Sequence, residues 1–135
     1  MSDAFAETWA TAWTAHDADA VVAWYAVDGT HRMAAGNTYR GADELRAMVE
    51  RTLSAYPDLA FAVRGVFTGD DGERFAIEYT MRGHHQGAIG DRPGTGHAVE
   101  IDGALVGTLG AHGRVTACVD YLDHLAIRRQ LGLST

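Results

Sequence analysis

At 135 residues, with eleven basic side chains against eighteen acidic ones and a formal charge of −7, the chain is sized for one domain over residues 1–135. It lacks the basic face that nucleic acid or an anionic membrane surface requires. Every basic residue is arginine, which excludes chemistry built on a lysine amine, and the three serines, Ser2, Ser54 and Ser134, lie in no G-x-S-x-G elbow. Cys118 has no second cysteine to pair with, as suits a reducing, cytoplasmic setting. The opening MSDAFAETWA is acidic where a secretory leader is basic. No run approaches the roughly 20 apolar residues of a membrane span.

Phe5, Trp9 and Trp13 recur at four-residue spacing, which predicts an amphipathic helix opening near Asp3 as its N-cap. His16-Asp17 breaks it, and Asp17 caps a second helix carrying Val21, Val22, Trp24 and Tyr25. Asp28-Gly29 reads as a turn, followed by a short extended piece from Thr30 to Ala34. After Gly41 a third helix buries Leu45, Met48, Val49 and Leu53. It stops at Tyr56-Pro57, because a residue before proline avoids the helical region.

From Leu59 the period changes to two. Leu59 to Thr68 ends at the turn Gly69-Asp70-Asp71-Gly72, and Glu73 to Gln86 puts Phe75, Ile77, Tyr79 and Met81 on one face. A glycine-rich loop, Gly87 to Gly96, precedes strands at Ala98 to Leu109 and Arg114 to Leu122, and a closing helix spans His124 to Leu131. Three helices followed by hairpin-joined strands describe an α+β layer. A strongly bent antiparallel sheet folded over those helices would make a cone around one apolar cavity.

The order of these parts, and the pieces HDADAVVAWYAVDGT, RGADELRAMVERTLSAYPDL, GHHQG and YLDHLAIRRQLGL, resemble the SnoaL-like polyketide cyclases of the nuclear transport factor 2-like superfamily. The chain departs from the family at Pro93-Gly94-Thr95-Gly96, where a proline-threonine-glycine turn is usual, and at Val119, where an aromatic is frequent. The resemblance implies a conical pocket, a homodimer, and activities from aldol ring closure to isomerisation, dehydration and epoxide hydrolysis, with some members not catalytic. Function therefore rests on the residues in the pocket. A carboxylate desolvated there becomes a usable base near neutral pH.

Asp123 matches the aspartate seven residues before the glutamine of the closing motif, which the resemblance makes the proton acceptor. It also stands where a helix N-cap would stand. Asp120 is the rival. Thr116, Cys118, Asp120 and Leu122 share one strand face and Val119, Tyr121 and Asp123 the other, so a regular strand sends only one aspartate inward. Registration on the ketosteroid isomerases favours Asp120. His85 follows the face of Phe75 and Met81 into the cavity, either to hold or protonate a substrate carbonyl or to rest against backbone. Tyr79 and Tyr121 are candidate donors to an enolate, or simply packing aromatics. Trp9, Trp13, Tyr25, Met33 and Met81 complete the candidate substrate contacts, with His31 and Arg32 near the cavity mouth to orient an anionic substrate. Met33 and Trp9 fall where the ketosteroid isomerases carry their aspartate and tyrosine, which argues against steroid isomerisation.

Seven histidines show no H-x-H, H-x₃-H or H-E-x-x-H spacing, so no metal is expected. GDRPGTG opens no helix after a strand and is no nucleotide fingerprint. The expectation is a cofactor-free enzyme binding an apolar, carbonyl-bearing or polyketide-like molecule. An aspartate would abstract a proton, His85 and a tyrosine would stabilise the enolate, and aldol closure would follow. A dehydratase or epoxide hydrolase with an Asp/His pair is the alternative within enzymes, and a non-catalytic small-molecule binder the alternative outside them. A small molecule and a second copy of the chain are the expected partners, with no nucleic acid and no membrane.

Overall fold

A computed structural model of the chain describes residues 4–133. The expected cap Asp3 lies outside them. Helix α1 (Ala4–Thr14) buries Trp9 and Trp13, and α2 (Ala18–Ala23) opens on Asp17, whose carboxylate accepts the Ala20 N–H at 3.0 Å. Strand β1 (Tyr25–Met33) and the short β2 (Thr38–Arg40) lead into α3 (Gly41–Ala55), which buries Leu45, Met48 and Val49. Strands β3 (Ala60–Thr68), β4 (Arg74–His84), β5 (Ala98–Leu109) and β6 (Val115–Leu122) follow, and α4 (His124–Gln130) closes the chain.

The six strands form one curved sheet in the order β2-β1-β6-β5-β4-β3. Helix α1 packs on β3, α3 on β1 and α4 against β5, so the concave face is roofed by helices. All pairings are antiparallel except β1 with β6, which run parallel. That corrects the all-antiparallel expectation, and its cause is α3 with β3–β5 intervening between the two strands.

Tyr25 is not helical. The chain turns at Trp24, which closes α2, and Tyr25 pairs with Val115 on β6. Asp28-Gly29 is not a loop between elements but a bulge inside β1. The register against β6 shifts between Tyr25 and Thr30, and Asp28 takes a left-handed φ of 59°. A Cβ on Gly29 would meet the carbonyl oxygens of Ala26 and Val115 at 2.8 and 2.9 Å, so the bulge demands glycine there. Its consequence is functional. Beyond the bulge β1 regains pairing, with His31 opposite Cys118 and Met33 opposite Asp120.

An aromatic cluster joins helices to sheet: Trp9 lies 4.8 Å from Phe61 and 5.3 Å from Tyr79, and Phe5 stacks on Trp24 at 5.1 Å. No helix among the described residues is long and apolar enough to cross a membrane.

Candidate active site

Between α3, α4 and the concave sheet face lies a cavity of about 1060 Å³. That exceeds the usual range of roughly 300–1000 Å³ for small-molecule pockets. Its interior wall carries Trp13, Met81 and Leu131, all buried, so a guest there meets mostly hydrocarbon. Three polar side chains interrupt this wall at depth: His31, His85 and Asp120.

Asp120 is presented by the alternation of β6. Cys118, Asp120 and Leu122 share the concave face, while Val119 and Tyr121 point away. Its side chain is 14 % exposed, and each carboxylate oxygen has a donor. The Tyr79 hydroxyl donates to Oδ1 at 2.5 Å, and His31 Nε2 lies 3.3 Å from Oδ2. Gly103 makes room for the tyrosine, since a Cβ there would sit 2.5 Å from Tyr79 Oη. The other nitrogen of His31, Nδ1, is 2.8 Å from Tyr25 Oη and 3.5 Å from Cys118 Sγ.

Burial works against a charged His31, but the hydrogen bonds to Asp120 and Cys118 and the attraction behind them outweigh it, pushing its pKa up to about 10. At neutral pH His31 is therefore an imidazolium donating Nε2–H to Asp120 and Nδ1–H to Tyr25. Burial, with the negative charge and hydrogen bond of Asp120, raises Tyr79 far above the ordinary phenol and keeps it a donor. Tyr25 is raised by burial and by its neighbours Cys118 and Asp120. The result is one chain of hydrogen bonds, Tyr25–His31–Asp120–Tyr79, whose two middle members line the cavity.

His85 is fully buried in the same wall, beyond Met81 on the continuation of β4. Its Nδ1 accepts the Thr95 N–H at 3.3 Å, so in the neutral ring the proton sits on Nε2, which has no partner. Thr95 belongs to the departed turn Pro93-Gly94-Thr95-Gly96. Gly94 is obligatory in it, because a Cβ would fall 2.2 Å from the Gln86 carbonyl oxygen. His85 lies six positions beyond Tyr79, just past the end of β4, up to roughly 20 Å of extended chain. His85 thus lines the cavity wall apart from the Tyr79 hydroxyl that holds Asp120.

Several expectations are corrected. Asp123 is exposed, outside the cavity lining, and its carboxylate accepts the Ala126 N–H at 3.0 Å, capping α4. The strand ends at Leu122, and the aspartate is spent on a helix terminus. Asp123→Ala should therefore cost about 1 kcal/mol of stability in urea denaturation and leave any cavity activity unchanged. Tyr121 is 49 % exposed on the convex face, and Arg32 is exposed on the same side of β1, away from His31. Trp9, Tyr25 and Tyr79 do not line the cavity. They stand one layer behind, Trp9 against Tyr79, Tyr79 against Asp120, and Tyr25 against His31. Trp13, Met33 and Met81 line it directly.

Other functional residues were not foreseen. Phe61 and Tyr56 complete the apolar wall, and Arg51 and Arg92 reach its rim from α3 and the glycine-rich loop. Arg51 had a legible signal, since it lies six residues after Leu45 and off the buried stripe of α3. Among the described residues no three His, Cys, Asp or Glu side chains converge as a metal site.

Comparison with solved structures shows the same architecture. A protein of ketosteroid isomerase-like fold from Catenulispora acidiphila, solved with trimethylamine, superposes with a TM-score of 0.83 at 22% identity, over 99% of this chain and 96% of that one. A candidate polyketide cyclase from Xanthomonas campestris gives 0.82 at 19% identity, over 95% and 94%. SalBIII, an epoxide hydrolase/cyclase-like enzyme of pyran ring formation in the polyether salinomycin, gives 0.77 at 14% identity, over 92% of each chain. No curated protein matches the chain in sequence. The family model for SnoaL-like polyketide cyclase matches residues 4–131, nearly the whole domain that builds the cavity and its half-buried carboxylate, and the chain belongs to that family.

Proposed function

We propose that the cavity binds an apolar, carbonyl-bearing molecule and that Asp120 is the general base that removes its acidic α-proton, opening an aldol-type cyclisation. The observation that carries this is the carboxylate itself. It sits at 14 % exposure in a hydrocarbon wall, held by two donors and with lone pairs left for a third partner. When Asp120 takes the proton, the C–H electron pair becomes the enolate, and the charge that Asp120 loses reappears on the substrate. His31, still an imidazolium, then faces that enolate instead of the carboxylate, so the site stays neutral through the step. The enolate carbon attacks a second carbonyl of the same molecule, and the new alkoxide recovers the proton from Asp120. The unpartnered Nε2–H of His85 supplies a hydrogen bond to an acceptor elsewhere on the guest.

The test is proton abstraction without ring closure. Incubated in D₂O with 2-tetralone, the protein should incorporate deuterium at the ketone's α-carbon faster than buffer does, followed by NMR. Incorporation at the buffer rate overturns the assignment.

The convex face supports a paired assembly. Phe67, Ala76, Val106 and Val119 lie side by side across four strands, with Phe67 56 % and Val106 43 % exposed. Such a row facing water favours association with a second copy. Light scattering should give twice the chain mass for the natural sequence and the single mass for Val106→Arg. A single mass for both excludes the pairing.

A further inference from the structure

Exposure divides the cavity lining into an interior and a rim. Trp13, His31, Met81 and His85 are buried, whereas Glu50, Arg51, Ser54, Arg92 and His124 are exposed and Arg128 is half-buried. The rim therefore carries three guanidinium groups and one carboxylate, on a chain with eleven basic and eighteen acidic side chains. Its charge balance is opposite to that of the molecule. In the interior, the charges of His31 and Asp120 offset each other. The positive excess is thus confined to the mouth.

Two of these arginines are held as if for a guest. Arg51 lies over the Tyr39 ring, its guanidinium carbon 5.4 Å from the centroid, a cation–π contact that uses the face of the ring and forms no ion pair. The backbone of Arg92 exchanges both hydrogen bonds with Ile89, at 2.9 and 3.0 Å, closing a turn through Gly90, whose φ of 57° suits glycine. That hydrogen-bonded turn sets Arg92 at the mouth. Neither arginine takes part in an ion pair among the described residues.

We infer that Arg51 and Arg92 bind an anionic group, so that the substrate class is an apolar organic acid whose carboxylate stays at the rim while its ketone reaches the interior. This rests on the function proposed above, and it specifies that function. A fork of N–H donors matches a carboxylate bidentately, and low-dielectric walls concentrate the field at the mouth. An uncharged ester of the same body gains only the hydrophobic part of the binding.

The experiment uses 2-naphthoic acid and methyl 2-naphthoate, titrated calorimetrically into the natural protein and into the double variant Arg51→Gln/Arg92→Gln. At low ionic strength the natural protein should bind the acid at least tenfold more tightly than the ester, with the difference shrinking as salt is added. The double variant should bind both probes alike, with ester affinity unchanged, which also shows that the cavity remains folded. Equal binding of acid and ester by the natural protein, or binding of neither, overturns the inference. An acid preference that survives in the variant assigns it to another group and overturns it too, as does an equal loss of both probes. Asp120→Asn keeps the acid preference but lowers deuterium uptake by about a thousandfold, so the two proposals fail separately.

Discussion

Asp120→Asn lowers cavity-dependent proton abstraction by about a thousandfold, within the span that a positioned general base contributes. The substitution keeps the shape of the side chain but removes its capacity to take a proton. It also disturbs the neighbours in a defined way. The carboxylate accepts from Tyr79 at Oδ1 and from His31 at Oδ2. An amide has one oxygen and one NH₂, so it satisfies one donor and sets the NH₂ group against the other. A donor left unpaired at this depth costs about 1–3 kcal/mol, so a lower urea midpoint should accompany the kinetic loss. Asp123→Asn separates the two aspartates: turnover stays at the natural level, because that side chain is exposed and bonded to the first turn of α4. Deuterium uptake by Asp120→Asn equal to that of the natural protein removes Asp120 from the reaction.

The two aspartates also mark the boundary of what the sequence discloses. Period-two alternation along β4 placed Met81 and His85 on the cavity side, because that pattern reports directly which face is buried. The motif that pointed to Asp123 reported a helix start instead. A capping aspartate and a catalytic one look identical in sequence, and only the end of β6 at Leu122 distinguishes them. The bulge at Asp28-Gly29 was hidden for a similar reason. An Asp-Gly pair inside a strand has the composition of a turn, and its role depends on the partner strand, which lies about ninety residues further along the chain. His31 was consequently expected at the mouth, whereas the register after the bulge buries it opposite Cys118. Tyr25 and Tyr79 were expected to touch substrate and instead hold the groups that do. Side-chain reach across a curved sheet is a property of packing, and no local pattern encodes it.

His31 carries the second large effect, and its sign follows from the direction of its shift. Its folded pKa, about 10, lies above the unperturbed value near 6.5. The stabilisation from its proton is therefore fully present below about pH 6.5 and is lost as pH rises through 10. In that window the folded state holds a proton that the unfolded state has released, so its contribution falls by up to about 1.4 kcal/mol per pH unit. Urea denaturation from pH 6 to pH 10 should show this decline for the natural protein and a much flatter profile for His31→Gln. At pH 7 the variant should be less stable by about 3 kcal/mol, since it leaves the Asp120 carboxylate without its cationic partner. Parallel profiles for the two proteins would place the titration elsewhere. The same proton matters to the chemistry. As His31 discharges, no cation remains opposite the enolate, so deuterium uptake should fall as pH rises through 10. A base acting alone would keep its rate above that pH, so the alkaline limb tests whether Asp120 works as one half of an ion pair.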